Sequence, residues 1–226
     1  FDGTGAVAGS LVGKDIRPTA VQAPSSRQDI ETFTKAGNTV RPYGNASFAV
    51  CASASGRPVS QDLPACASPA LAGAQTPHWA AMRWSEDVPA SPMAKLSWTS
   101  ATDEVRLTVP RKARDASSYD RLSLKVAADE SVSTSTDLTI TLVDGSGASV
   151  TTPVSELNPL ALQRLPISTG TGAAMLGKIV LQQVNVATAD LAAAGLDVAN
   201  LREVRFAAAP GAETGAAYLS DLAFES

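Results

Sequence analysis

Apolar residues recur at every second position along most of this chain. "AKLSWTS", "DEVRLTVP" with Val105, Leu107 and Val109 on one face, and "DASSYDRLSLKVAAD" with Leu122, Leu124 and Val126 inward all show that period. A period of two is the mark of strands with one buried face. "WAAMRWS" predicts a strand ahead of these, and "DLTITLVDGSGASVTTPVS" predicts a hairpin turning at Asp144, Gly145, Ser146 and Gly147. In "GKIVLQQVNVAT" the inward set is Ile179, Leu181 and Val184 or Val186, and the Gln182-Gln183 pair predicts a bulge. "TADLAAAGLD" departs from the period and predicts one or two helical turns, capped by Thr188 and ended by Gly195. "LREVRFAA" and "AAYLSDLAFES" complete the series; in the last, Tyr218, Ser220, Leu222 and Phe224 alternate with Leu219, Asp221 and Ala223.

Short strands separated by turn residues at this spacing predict an all-β fold, an antiparallel two-sheet jelly-roll sandwich over residues 78–226. The final strand is expected to pair in the middle of a sheet, since a dangling one would expose an edge. Residues 1–77 are less regular. "NASFAVCAS" alternates briefly and a short strand fits Ala20 to Gln22, but "GRPVSQDLPACASPALAGAQTPH" is turn chemistry nearly throughout. This stretch is expected to be a connector with a few short strands. Cys51 and Cys66 enclose a loop of roughly fifteen residues within it; a disulfide there would stabilise by about 3 kcal/mol, the alternative being two buried thiols. A disulfide implies an oxidising, extracellular location.

Composition narrows the function. The net charge is −4 and the basic residues are scattered, which argues against nucleic acid as a partner. No run of eighteen apolar residues occurs, so no membrane-spanning helix is expected. The opening "FDGTGAVAGS" lacks a Met start, from which a larger precursor is expected. His78 is the single histidine, held between Pro77 and Trp79, so a Ser-His-Asp arrangement has one option and a local structural role fits better. The carboxylate pairs Glu86 with Asp87 and Asp103 with Glu104 are adjacent in sequence, and neighbours on a strand point to opposite faces; they are expected to be solvated turn charges. Catalytic residues are therefore expected to be absent from this chain.

Binding is the other option, because sandwich modules for sugars place exposed aromatics where they stack on a ligand. Trp98 shares a face with Leu96 and Trp84 with Met82, so both are expected in the core; Trp79, Tyr119 and Tyr43 remain as ligand-binding candidates.

The succession "PHWAAMRWS", "AKLSWTS", "EVRLTVP", "SSYDRLSLKVAAD", "DLTITLVDGSGASVTTPVSEL", "LGKIVLQQVNVATADLAAAGLDVANLREVRF" and "AYLSDLAFES" resembles the C-terminal region of large secreted actinobacterial α/β-hydrolases. In that family a lipase-like or esterase-like domain precedes a β-sandwich similar to galactose-binding and carbohydrate-binding jelly rolls. The resemblance covers nearly the whole chain, and the cysteine loop has a counterpart there. It implies a non-catalytic accessory domain whose partner is its own upstream catalytic domain. The nucleophile elbow G-x-S-x-G has no match here, so no catalytic residue carries over. In calcium-containing carbohydrate-binding jelly rolls, a closing-strand motif similar to "YLSDLAF" implies Asp221 as a ligand to a structural calcium, although Ser220 stands where the acidic neighbour would be. No other cofactor is implied. Three functions follow as expectations: an accessory hydrolase domain, an independent binding module for polysaccharide or another polymer, and a protease-interacting protein presenting the Pro-rich cysteine loop.

Overall fold

Alternation in sequence becomes alternation in burial wherever a strand has one face on the core. In the computed structural model, which describes residues 24–33, 40–50, 93–129, 132, 136–162 and 181–226, the rule is plainest in β4 (Ala94–Trp98). There Ala94, Leu96 and Trp98 are buried while Lys95 and Ser97 lie between them on the other face. The remaining strands are β1 (Arg27–Glu31), β2 (Val40–Tyr43), β3 (Ser47–Val50), β5 (Glu104–Thr108), β6 (Arg121–Ala128), β7 (Leu138–Asp144), β8 (Ser149–Pro153), β9 (Gln182–Ala187), β10 (Leu201–Ala208) and β11 (Gly215–Glu225). Among the described residues two short α-helices, α1 (Val154–Leu157) and α2 (Thr188–Ala193), lie between strands.

Among the described residues all pairings are antiparallel and form two sheets. One runs β3-β4-β11-β6-β9, with β1 also paired to β11; the other runs β2-β5-β10-β7-β8. Their inner faces meet in a single core that includes Leu96, Trp98, Leu107, Leu124, Ile140, Leu142, Val204, Phe206, Leu219 and Phe224. The all-β, two-sheet antiparallel sandwich expected from the alternation is the fold observed.

Several details depart from expectation. The strands that precede residue 77 belong to the sandwich itself: β1 pairs with β11, β2 with β5 and β3 with β4. A boundary at 77 therefore does not separate a connector from a domain, because short edge strands carry too little apolar pattern to announce their pairing. Tyr43 and Phe48 lie in that early stretch; Cys51, Cys66, Trp79 and Trp84 lie outside the described residues, as do His78 and "WAAMRWS". Gln182 and Gln183 face Val126 and Lys125 in unbroken register, so no bulge forms there. Thr188 begins α2 without capping it, and its hydroxyl is buried with no hydrogen-bond partner. Gly195 ends that helix as expected, at φ +92°.

The last strand is central, as expected, but its alternation is broken. Ser220 faces Lys125 and Ala223 faces Ser123, so two residues, Asp221 and Leu222, oppose the single Leu124 between them. This is a β-bulge, and Asp221 occupies it at φ +54°, a left-handed conformation that aspartate tolerates better than most residues. Before the bulge Ala217 and Leu219 face the core; after it Leu222 and Phe224 do. Leu222 and Phe224 therefore do not share a face with Tyr218 and Ser220.

Two buried carboxylates organise the turns. Asp103, 1% exposed, accepts from the backbone N–H groups of Asn45 and Thr99 at 2.7 and 2.8 Å, tying the β2–β3 turn to the β4–β5 turn. It is thus buried rather than a solvated turn charge. Its neighbour Glu104 points to the other face and pairs with Arg106. Asp144 ends β7, accepts from the Ser146 hydroxyl at 2.7 Å and from the Asp197 N–H at 3.0 Å, and so joins the β7–β8 hairpin to the loop before β10.

The Ser146 hydroxyl, followed by the Asp197 N–H, holds the Asp144 carboxyl down from 3.8 to about 2. An unfolded chain binds that proton at higher pH than the folded one does. The stabilisation is therefore present in full above about pH 4 and lost as pH falls toward about 2. Asp144→Asn is expected to lower Tm at neutral pH and to flatten the decline of Tm between those two values, checked by thermal scans across the acid range. An unchanged acid limb would show that Asp144 does not contribute to it.

Candidate functional site

Every second residue of the six-stranded sheet faces away from the core, and the register sets which of these line up. Asp29, Ala223, Ser123 and Asn185 stand in one row across β1, β11, β6 and β9. Ser220, Lys125 and Gln183 form the adjacent row, and Arg27, Glu225 and Arg121 flank the other side. The small Ala223 and Ser123 side chains lie at the bottom, 0% and 4% exposed, between these longer neighbours. Three strand spacings of about 4.8 Å make the strip about 14 Å long. Both β1 and β9 are edges, so among the described residues the strip runs from edge to edge of the sheet.

The Asp221 bulge sets the middle of this strip. Its Oδ2 accepts from the Lys125 ammonium at 2.7 Å, and its Oδ1 lies 3.8 Å from the Arg27 guanidinium. Arg27 also donates to Asp29 at 2.7 Å and to Glu225 at 2.8 Å. Partial burial opposes the Arg27 charge, but Asp29, Asp221 and Glu225 outweigh it and hold the guanidinium above its ordinary value. At the β9 end the Gln183 amide donates to the Ser123 hydroxyl at 3.0 Å and to the Asn185 side-chain oxygen Oδ1 at 3.2 Å. Gln183 and Asn185 are both exposed.

Toward β4 the same face holds a buried polar group. Tyr218 is fully buried and its hydroxyl donates to Asp129 at 3.1 Å, while Lys95 donates to the same carboxylate oxygen at 2.6 Å. The Lys95 ammonium also lies 5.8 Å from the Tyr218 ring centroid. Burial, followed by the Asp129 charge, raises the Tyr218 phenol well above its ordinary value, so it remains a neutral donor.

The sequence candidates are not gathered in one place. Asp221 sits in the strip. Tyr43 is on β2, in the other sheet, 38% exposed, with the Arg106 guanidinium 4.1 Å from its ring centroid. Tyr119 is half-buried and packs on the core, its ring 6.1 Å from that of Phe224, so it is no free edge aromatic. Trp98 is in the core, as expected, 2% exposed. Trp79, Cys51 and Cys66 lie outside the described residues.

Calcium does not fit Asp221. The carboxylate is already shared between Lys125 and Arg27, two cations that would repel the ion, and no group of three or more His, Cys, Asp or Glu gathers among the described residues. Sequence reasoning missed Lys125, Gln183, Asn185 and Arg27, because a lone polar residue on a strand reads as ordinary solvent-facing surface; only their shared rows single them out.

The fold and this face define a two-sheet β-sandwich with a polar strip across one outer surface. No family model matches the chain, and no curated protein does. Among solved structures it is similar to a family 11 carbohydrate-binding module from Clostridium thermocellum, in complex with a β-1,3-1,4-mixed-linked tetrasaccharide. The identity is 9% and the TM-score 0.48, over 88% of this chain and 95% of that one. A family 30 carbohydrate-binding module of a Clostridium thermocellum cellulosomal cellulase matches at 15% identity and TM-score 0.43, covering 62% of this chain and 77% of that one. An exo-β-agarase matches at 10% identity and TM-score 0.49, over 88% of this chain and 24% of that one. No helix among the described residues is long and apolar enough to cross a membrane.

Proposed function

We propose that this chain is a non-catalytic module that binds a neutral polysaccharide along the strip from Asp29 to Asn185. The observation that carries the reading is the set of three register rows, which place the exposed Gln183, Asn185 and Arg27 and the half-exposed Lys125 on one face with the Asp221 carboxylate among them. Planar amides, carboxylates and guanidinium groups each present two donors or acceptors, the pattern that adjacent sugar hydroxyls satisfy. Because the strip reaches both edges of the sheet among the described residues, it suits an internal segment of an extended chain rather than a chain end. A non-Gly residue in the left-handed region stores backbone strain, and such strain is found at ligand clamps. Asp221 has that position here. A role as the accessory end of a secreted hydrolase is compatible with this function, since a binding module holds an attached catalytic domain on its substrate.

Gel electrophoresis with soluble neutral glycans embedded in the matrix tests it. At least one β-linked glycan is expected to retard the protein, and Gln183→Ala with Asn185→Ala to weaken that retardation about tenfold, two lost hydrogen bonds being worth that much. Both residues are exposed, so Tm is expected to stay unchanged. Full mobility in every glycan, or retardation indifferent to the double substitution, would refute the proposal.

A further inference from the structure

The opposite surface carries a second ranked set of side chains, on the five-stranded sheet. Arg41 on β2 faces Arg106 on β5, which faces Arg205 on β10, so three arginines stand directly abreast on neighbouring strands. Thr141 and Thr151 continue the row across β7 and β8. Like charges in directly opposed cross-strand positions destabilise a sheet. Two of the three are locally compensated: Arg106 pairs with Glu104, and Arg205 with Glu203 at 2.8 Å. Arg41 is exposed, and neither an ion pair nor a side-chain hydrogen bond engages it among the described residues. Beside it lies Tyr43, 38% exposed, with Arg106 over its ring. Among the described strand residues, three arginines against two glutamates leave this face with an excess positive charge on a chain of net charge −4.

We propose that this row binds an anionic polysaccharide through its carboxylate groups, with Arg41 as the primary contact and Arg205 as a second. A guanidinium takes a carboxylate through parallel hydrogen bonds, and Arg41 is the member of the row whose donors are open. Arg41 and Arg205 lie two strand spacings apart, about 10 Å, so the row meets a ligand at separated points along its length, as a polymer with recurring uronic acid residues requires. The exposed Tyr43 ring adds apolar area for a sugar ring. This surface is on the far side of the sandwich from the Asp29–Asn185 strip, and the two proposals stand or fall separately.

The experiment is affinity electrophoresis in polygalacturonate, in fully methyl-esterified polygalacturonate, which has the same backbone without the charge, and in dextran sulfate. Retardation is expected in the first and not in the second, weakening as salt is raised. Arg41→Gln is expected to weaken it about tenfold and Arg205→Gln to weaken it by less, while the retardation in neutral β-glycan produced by the other face stays unchanged. Free mobility in polygalacturonate, equal retardation by the ester, or indifference to Arg41→Gln would overturn the proposal. Retardation by dextran sulfate alone would overturn the assignment to carboxylates.

Discussion

Replacing Trp98 with alanine is expected to destabilise the fold by about 3–5 kcal/mol, the range for a buried aromatic truncated in a packed core. Trp98 is 2% exposed at the end of β4, and its indole N–H donates to the Ala212 carbonyl at 2.7 Å. The ring lies against the backbone of β11: a Cβ built on Gly215 would come within 2.6 Å of ring atom Cζ2. Truncation thus removes the filling between two paired strands and leaves the Ala212 carbonyl without its donor. Against a total stability of about 5–15 kcal/mol for a domain, the loss is large. Urea unfolding followed by far-UV circular dichroism checks it; the midpoint is expected to fall sharply with the slope unchanged. A loss below about 1.5 kcal/mol would show that the strands close over the gap.

Asp129→Ala is expected to cost a comparable amount, about 3–5 kcal/mol, by a different route. Asp129 is 3% exposed and takes both the Lys95 ammonium and the Tyr218 hydroxyl on one oxygen. Without it, an ammonium on a side chain only 14% exposed loses its anionic partner, and desolvation of that charge is no longer offset. Lys95→Met in the same chain is expected to restore a substantial part of the loss, because the uncompensated charge is then gone. The double-mutant cycle, by equilibrium unfolding, separates this from a packing defect. Strictly additive losses would show that Lys95 and Asp129 are not coupled.

The fold class was legible because one-sided burial writes itself into sequence. Val105, Leu107, Leu122, Leu124 and Val126 sit where their spacing predicted, and the Asp144 hairpin turns where its Gly-rich stretch predicted. The early strands were poorly legible. β2 offers only Val40 to the core amid exposed neighbours, so its membership in a sheet depends on β5 and not on its own pattern. Thr188 misled because a hydroxyl before a helical run favours capping only if the backbone leaves it outside the helix, and here the helix begins at Thr188 itself. The strip was legible in one residue alone. Asp221 was singled out, as a calcium ligand, while its partners Arg27 and Lys125 lie far from it in sequence and are joined to it only by pairing.

The Asp221 bulge also gives β11 one residue more than a regular alternation from Ala217 to Phe224 would need. Its first half is read in one parity and its second half in the other, with β4 checking the first and β1 checking the second. Deleting Asp221 would restore unbroken alternation, with Ala217, Leu219, Leu222 and Phe224 still on the core face and Glu225 still outward, whereas deleting a residue well away from the bulge would turn the part of the strand beyond it inside out. The tolerance of β11 for a one-residue deletion is therefore expected to be highest where its backbone is most irregular.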